Sequence, residues 1–318
     1  MMKQIHHHTL IQASEQKIYW WNTEIQSKNR CPICWLRCHD CFCSLINQQR
    51  KCYDEFWQKL FEENGISIEI LIYYHPHELG RSANTAHVFE ALNGTACSSL
   101  VLGNEQEEML FWTKVIHESH DNTVFTCVLY PGKASIPMSE WIGKVKLENG
   151  PKPNTDPQTQ KLEQGFRLIV LDGTYPCASR IAKYLEVCQK EYRLSKPFFQ
   201  FVSLELETDE NLGYCRSAVA GIMYQPAKEK ICSYQATSIA IKDILMQLSY
   251  NKQDLMAFFS MMMEDLQNWI KHIIQKKIKF GKLTTMKCLR DIDNAVPDYV
   301  QEIIVSISFS FVLMLEKN

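Results

Sequence analysis

The sequence predicts an α/β protein built on a doubly wound, mainly parallel sheet. Three observations predict it. Short apolar runs that end in turn residues recur along the chain, at ISIEILIYY (Ile66–Tyr74), Ser98–Leu102, TVFTCVLY (Thr123–Tyr130), Phe166–Leu171 and Phe198–Leu206. Runs of this length are strands buried on both faces. Helical patterns separate them, and strands alternating with helices give parallel pairing. Strand ends carry polar and turn residues, notably His75-Pro76-His77-Glu78, Pro131-Gly132 and Asp172-Gly173.

Taken in order, Met1–Asn29 is a polar leader with partial helical character, in which His6–His8 reads as a surface run. RCPICWLRCHDCFCS, Arg30–Ser44, holds a CxxC at Cys31 and Cys34 and a CxC at Cys41 and Cys43. That spacing can present four thiolates to one tetrahedral ion, a closed structural zinc site. Cys38 and His39 are spare ligands. A redox CxxC normally opens a helix after a strand, and no strand precedes Cys31, so zinc is favoured. Zinc in such a peptide supplies ~10–16 kcal/mol of apparent folding energy. Lys51–Asn64 is an amphipathic helix through Tyr53, Phe56, Trp57, Leu60 and Phe61, closed by Gly65. Ser82 or Asn84 caps a helix through Leu92, and Glu105–His117 forms another. Ser135–Gln164 breaks the rhythm, and its Pro-rich Gly150–Gln160 is a surface loop. After Asp172 a helix runs to about Gln189, and ICSYQA (Ile231–Ala236) leads into an apolar helix ending near Leu248. Asp254–Lys279 is a long helix whose Met-rich stripe is core packing. Lys271–Arg290 carries seven cations, Lys276 and Lys277 among them, and no carboxylate. It suits phosphate contacts or simply the solvated end of a helix. Ile303–Leu315 is shorter than the ~20 residues a membrane helix needs and alternates with a strand period.

The expected organisation is therefore 1–64 as leader, four-cysteine zinc module and helix, 65–250 as the catalytic α/β domain, and 251–318 as a C-terminal helix, basic segment and apolar tail. A net charge of −2 on 318 residues excludes a globally basic nucleic-acid binder, so such a site would be a local patch. Clustered cysteines without an apolar leader point to a reducing compartment, cytoplasmic or nuclear, and not to secretion. Nothing in the sequence sets an oligomeric state.

Asp172 is the strongest candidate for chemistry. Ligands in open α/β sheets bind at the carboxyl ends of strands, and an acid placed there can be desolvated and poised as a base. Asp and Gly are also ordinary turn residues, so capping alone is the competing explanation.

Several separated segments together resemble the DTW-domain family. They are the CxxC-x6-CxC at Cys31, Cys34, Cys41 and Cys43; HPHELGRSANTA (His75–Ala86), similar to the family's His-Pro-x-Glu…Arg…Asn-Thr stretch; VLYPG (Val128–Gly132); and LDGTY (Leu171–Tyr175), similar to Asp-x-Thr-Trp. Tyr214 and Arg216, then ICSYQA, resemble the Tyr-x-Arg and Ser-Thr-x-Glu-Ala elements. The order is kept over Arg30–Leu248. Tyr175 stands where the family has Trp, and Gln235 where it has an acid.

The resemblance implies a tRNA-uridine aminocarboxypropyltransferase. Such an enzyme moves the 3-amino-3-carboxypropyl group of S-adenosylmethionine to uridine N3 and releases 5′-methylthioadenosine. It also implies a SPOUT-like fold with a trefoil knot, and tRNA rather than DNA or a membrane as partner. Carried over residue by residue, Asp172 is the base, Thr174 orients it or the uracil, and Tyr175 stacks. Tyr130, Pro131, Gly132, Gly173, Arg216, Cys232, Ser233 and Gln235 face the cofactor, with Arg81 or Arg216 clamping its carboxylate or a phosphate. His75, Glu78, Arg81 and Asn84 face the RNA; Lys276 and Lys277, outside the resemblance, are RNA contacts by their local charge alone. The changes at Tyr175 and Gln235 support a second reading, a catalytically weakened RNA-binding relative. A methyltransferase of the same fold is a third.

Overall fold

The computed structural model describes residues 15–25, 27–81, 84–120, 124–148, 164–191, 197–205, 232–248 and 250–279. The His6–His8 run, the Gly150–Gln160 loop, Tyr214, Arg216 and the Ile303–Leu315 tail lie outside them. In chain order the elements are α1 (15–25), α2 (Cys43–Asn64), β1 (Ile66–Tyr74), α3 (Thr85–Leu92), β2 (Cys97–Val101), α4 (Glu105–His120), β3 (Val124–Leu129) and β4 (Ile136–Pro137). They continue with α5 (Met138–Glu148), β5 (Gln164–Asp172), α6 (Tyr175–Glu191), β6 (Gln200–Ser203), α7 (Ser233–Gln247) and α8 (Lys252–Lys279).

The strands form one sheet in the order β2-β1-β5-β3-β6-β4, and each pairing is parallel. β1 and β5 pair over nine residues, from Ile66 opposite Gln164 to Tyr74 opposite Asp172. Their near-continuous apolar sequence has a direct cause, since both faces are covered. Ile70, Ile72, Tyr74, Leu168 and Val170 pack into one core with α2, α3, α5, α7 and α8. Leu71, Tyr73, Ile169 and Leu171 pack into the other with α4 and α6.

Several elements differ from the expectation: β6 is four residues, Gln200–Ser203, rather than Phe198–Leu206. The helix before β1 begins at Cys43 rather than Lys51, because Cys43 and Ile46 are buried in its first turn. The expected break after Ser135 contains α5, whose Met138, Trp141, Ile142 and Val145 are buried at helical spacing. Gly65 closes α2 with φ 67°, as a left-handed cap should.

One charge sits inside the sheet. Arg167, in mid-β5, is fully buried. Its Nε donates to Glu69 Oε2 at 2.9 Å and its Nη2 to Glu118 Oε2 at 2.6 Å. Glu69 is its register partner on β1. Both carboxylates are partly exposed and also contact Lys114 at 3.2 and 3.8 Å. Removing Arg167 therefore empties a core volume and breaks a buried pair, while the carboxylates keep a cation. Arg167→Ala is expected to cost about 3–5 kcal/mol in chemical denaturation, and Arg167→Met clearly less. Equal losses for the two would contradict this account.

Candidate active site at the ends of β1 and β5

Asp172 ends β5, and its carboxylate is 4% exposed. Oδ2 accepts from Asn84 Nδ2 at 2.6 Å, and Oδ1 accepts from Ser233 Oγ at 2.7 Å. The backbone amide of His75 donates to the Asp172 carbonyl at 3.0 Å, which carries the β1–β5 ladder one step past the sheet. Burial pushes the Asp172 carboxyl up to about 6; the bonds from Ser233 and Asn84 oppose that rise, Glu78 adds to it and Arg81 opposes it. The group is thus a carboxylate at neutral pH with more proton affinity than an exposed Asp.

Its partners come from distant elements. Asn84 uses both ends of its amide: Oδ1 caps α3 by accepting from the His87 amide at 2.9 Å, and Nδ2 reaches Asp172. Ser233 is the first residue of α7, and Cys232 is its buried N-cap, with a thiol pushed up by burial. Gln235 is 3% exposed, and its Oε1 has no hydrogen-bond donor among the described residues. Glu78 is buried and accepts from exposed Arg81 Nη1 at 2.8 Å. His75 Nδ1 accepts from the His77 amide at 3.3 Å. Burial, then His77, Arg180 and Arg81, hold the His75 ring down to about 4, so it is neutral at pH 7.

Gly173 lets the chain turn. With φ +156°, a Cβ there would lie 2.9 Å from Cys177 Cβ and 3.3 Å from His75 Cβ. Thr174 is exposed and its hydroxyl bonds Cys177 Sγ at 3.1 Å, not Asp172. Tyr175 is 47% exposed and lies near-parallel to Tyr130, 6.4 Å between ring centroids. In the Tyr130–Pro131–Gly132 turn, Ser135 Oγ accepts from the Gly132 amide at 2.7 Å and donates to the Tyr130 carbonyl at 2.5 Å. That amide is engaged within the turn itself. Lys276 and Lys277 fall in the last turns of α8, and their side chains lie outside the described residues.

The structure thus gathers Asp172, Asn84, Ser233, His75, Glu78 and Arg81 in one neighbourhood, with Tyr175 and Tyr130 together at an exposed edge. Sequence reasoning missed Ser135, whose signal was only a turn position after Gly132. It also missed the support behind Ser233. Tyr234 Oη is 3.1 Å from Tyr53 Oη, which donates to Asp265 Oδ2 at 2.8 Å. All three are buried and join α7, α2 and α8.

The four cysteines form a candidate metal centre. Their sulfurs all lie within 4.8 Å of one another, with Cys31 to Cys43 at 3.3 Å and Cys34 to Cys41 at 3.7 Å. A tetrahedral zinc with four thiolates sets sulfurs ~3.8 Å apart, so the donor set fits and can hold zinc. A tight turn builds it: the Cys31 amide donates to the Leu36 carbonyl at 2.7 Å, and Trp35 adopts φ +58°. Trp35 stacks on His87 of α3, 3.6 Å between centroids. The loop therefore braces the helix whose cap holds Asp172.

Two outcomes follow from this geometry. A carboxyl pushed up to about 6 by burial contributes stability fully below 3.8, and that contribution is lost as pH rises through 6. Asp172→Asn is expected to raise unfolding free energy at pH 8 by up to about 3 kcal/mol, with roughly half of the gain remaining at pH 5. Lower stability of the variant at pH 8 would contradict the burial argument. Elemental analysis should find one zinc per chain, lost in Cys31→Ser/Cys34→Ser together with a fall in Tm; an unchanged Tm would contradict a structural role.

Among the described residues no helix is long and apolar enough to cross a membrane. No curated protein and no solved structure matches the chain. The family model described as DTW domain matches residues 28–267, from just before Cys31 of the cysteine cluster to just beyond Asp265. Covering well over half of the chain and containing every residue of the Asp172 cluster, that match shows that the chain belongs to the DTW-domain family, which is known for tRNA modification.

Proposed function

We propose that the protein is a tRNA-uridine aminocarboxypropyltransferase that uses S-adenosylmethionine. The observation that carries this reading is Asp172, a buried carboxylate at a strand end, oriented by two hydrogen bonds and raised to about 6. Uracil N3 carries a proton at neutral pH and is a poor nucleophile until it leaves. Asp172 takes that proton as the N3 lone pair attacks the side-chain carbon next to sulfur. The N3–C bond forms, the C–S bond breaks, and the sulfur leaves as a neutral thioether. The proton ends on Asp172, and no redox step is involved.

Asn84 and Ser233 hold both carboxylate oxygens, so the base meets its target in one orientation. Neutral, buried His75 lies beside it, its backbone amide bonded to the Asp172 carbonyl. Tyr175 and Tyr130 offer aromatic faces for a base. Gln235 Oε1, buried without a donor among the described residues, suits the ammonium or adenine amino group of S-adenosylmethionine. The four-cysteine loop, holding zinc, acts as structure and not as a participant. The same reading carries the SPOUT relationship and the trefoil knot, which rest on the family resemblance. A weakened RNA-binding relative is the second reading, favoured by the neutral amide at Gln235 where the family has an acid.

The test is incubation with unmodified tRNA and S-adenosylmethionine labelled in the carboxypropyl chain, followed by nucleoside mass analysis. An aminocarboxypropyl gain on uridine, with methylthioadenosine released, supports the proposal. A methyl gain, or binding without transfer, overturns it. The rate should fall on the acid side with a midpoint near 6, where Asp172 takes up its proton. The Ser233 bond lowers that value, so Ser233→Ala is expected to move the acid limb to higher pH. A limb that stays put or moves down would remove Asp172 as the base.

A further inference from the structure

The neighbourhood above Asp172 is edged by basic side chains from three places in the fold, the β1–α3 turn, α6 and α1. Arg81 follows the turn after β1, exposed and bonded to Glu78. His77 is exposed, its ring stacked on His75 at 5.0 Å. Arg180 is exposed on α6, three residues after Cys177, whose Cβ lies against Gly173. It lies close enough to His75 to disfavour that ring's protonation. Among the described residues Arg180 forms no ion pair.

Lys17 comes from α1. Trp21, one turn further along that helix, lies against Gly80, where a Cβ would sit 2.5 Å from its ring. Gly80 has φ +76°, so the turn beside Arg81 is shaped to receive this helix. Lys17 shares that helical face and lies within electrostatic reach of Arg81. Its ammonium also stands 3.5 Å over the ring of Trp20, which is 40% exposed.

We infer that Lys17, His77, Arg81 and Arg180 form a rim that grips the phosphate backbone of the RNA on either side of the uridine presented to Asp172. The inference rests on the tRNA reading above. Three permanent cations stand above two carboxylates, Glu78 and the buried Asp172, in a chain whose net charge is −2. Glu24, the next acid toward Lys17, is engaged by Lys28 at 2.5 Å and Arg30 at 3.9 Å. At this edge the basic side chains therefore outnumber the acids that face them. Exposed aromatics accompany it, Trp20 at Lys17 and Tyr175 at the start of α6. Cations that follow a backbone beside aromatic faces that take bases are what an unpaired RNA strand requires.

The experiment measures binding of fluorescent, unmodified tRNA across a salt titration, with S-adenosylmethionine binding followed by calorimetry. Arg180→Ala is expected to weaken tRNA several-fold and to reduce the salt slope by about 0.7–0.9, one phosphate contact. Lys17→Ala/Arg180→Ala should lose about twice that slope, Arg180→Lys should keep it, and donor binding should not change. Unchanged tRNA affinity and slope in the double variant overturn the inference. So does weakened S-adenosylmethionine binding with tRNA unaffected, which would make the rim a carboxylate clamp for the donor. Rim-dependent tRNA binding without group transfer upholds the rim and removes only the proposed reaction. Transfer with rim-independent binding removes only the rim.

Discussion

Everything about this site depends on one buried carboxylate held from two sides. Asp172 ends the central strand β5, and its oxygens are bonded by Asn84 at the start of α3 and Ser233 at the start of α7. Two helix beginnings thus converge on one strand end. Desolvation raises the proton affinity of the carboxyl, and the two donors keep that rise in check. A base near neutrality is the balance of these terms. Burial without the two donors would raise the carboxyl further, and full exposure would leave an ordinary, weakly basic Asp.

The remainder of the fold keeps the two donors in place. Asn84 belongs to α3, on which Trp35 of the cysteine loop stacks through His87. The same loop meets α8, where His272 lies 4.7 Å from Phe42 and its ring nitrogen is 3.2 Å from the Asp40 carbonyl. Ser233 precedes Tyr234, whose hydroxyl enters the buried Tyr53–Asp265 network between α2 and α8. Burial raises the Asp265 carboxyl to about 6 as well, so this network also contains a group whose charge burial disfavours. The metal loop and the C-terminal helix therefore act on the site through packing, at one remove from the chemistry.

Much of this was legible in the sequence, for a physical reason. Strands β1 and β5 are buried on both faces, so their apolar runs are continuous and read directly. The four cysteines read as a metal site because ligand spacing in a tight turn is a local property. Asp172 read as a candidate because a strand end followed by Gly is also local. The helix α5 was hidden beside a Pro-rich run, although Met138, Trp141, Ile142 and Val145 carry its period. What holds Asp172 was not local at all. Asn84 lies 88 residues away and Ser233 61, and only likeness to a family marked them. Tyr53 and Asp265, 212 residues apart, left no sequence signal.

The central claim is that Asp172 is ionised at neutral pH yet titrates well above an ordinary aspartate. Carbon-13 labelling of aspartate carboxyl groups, with Asp172→Asn to assign the resonance, measures this in the intact protein. The account predicts a titration midpoint near 6. A midpoint at or below 3.8, the ordinary value, would contradict it, because a base no stronger than an exposed aspartate would have gained nothing from its burial.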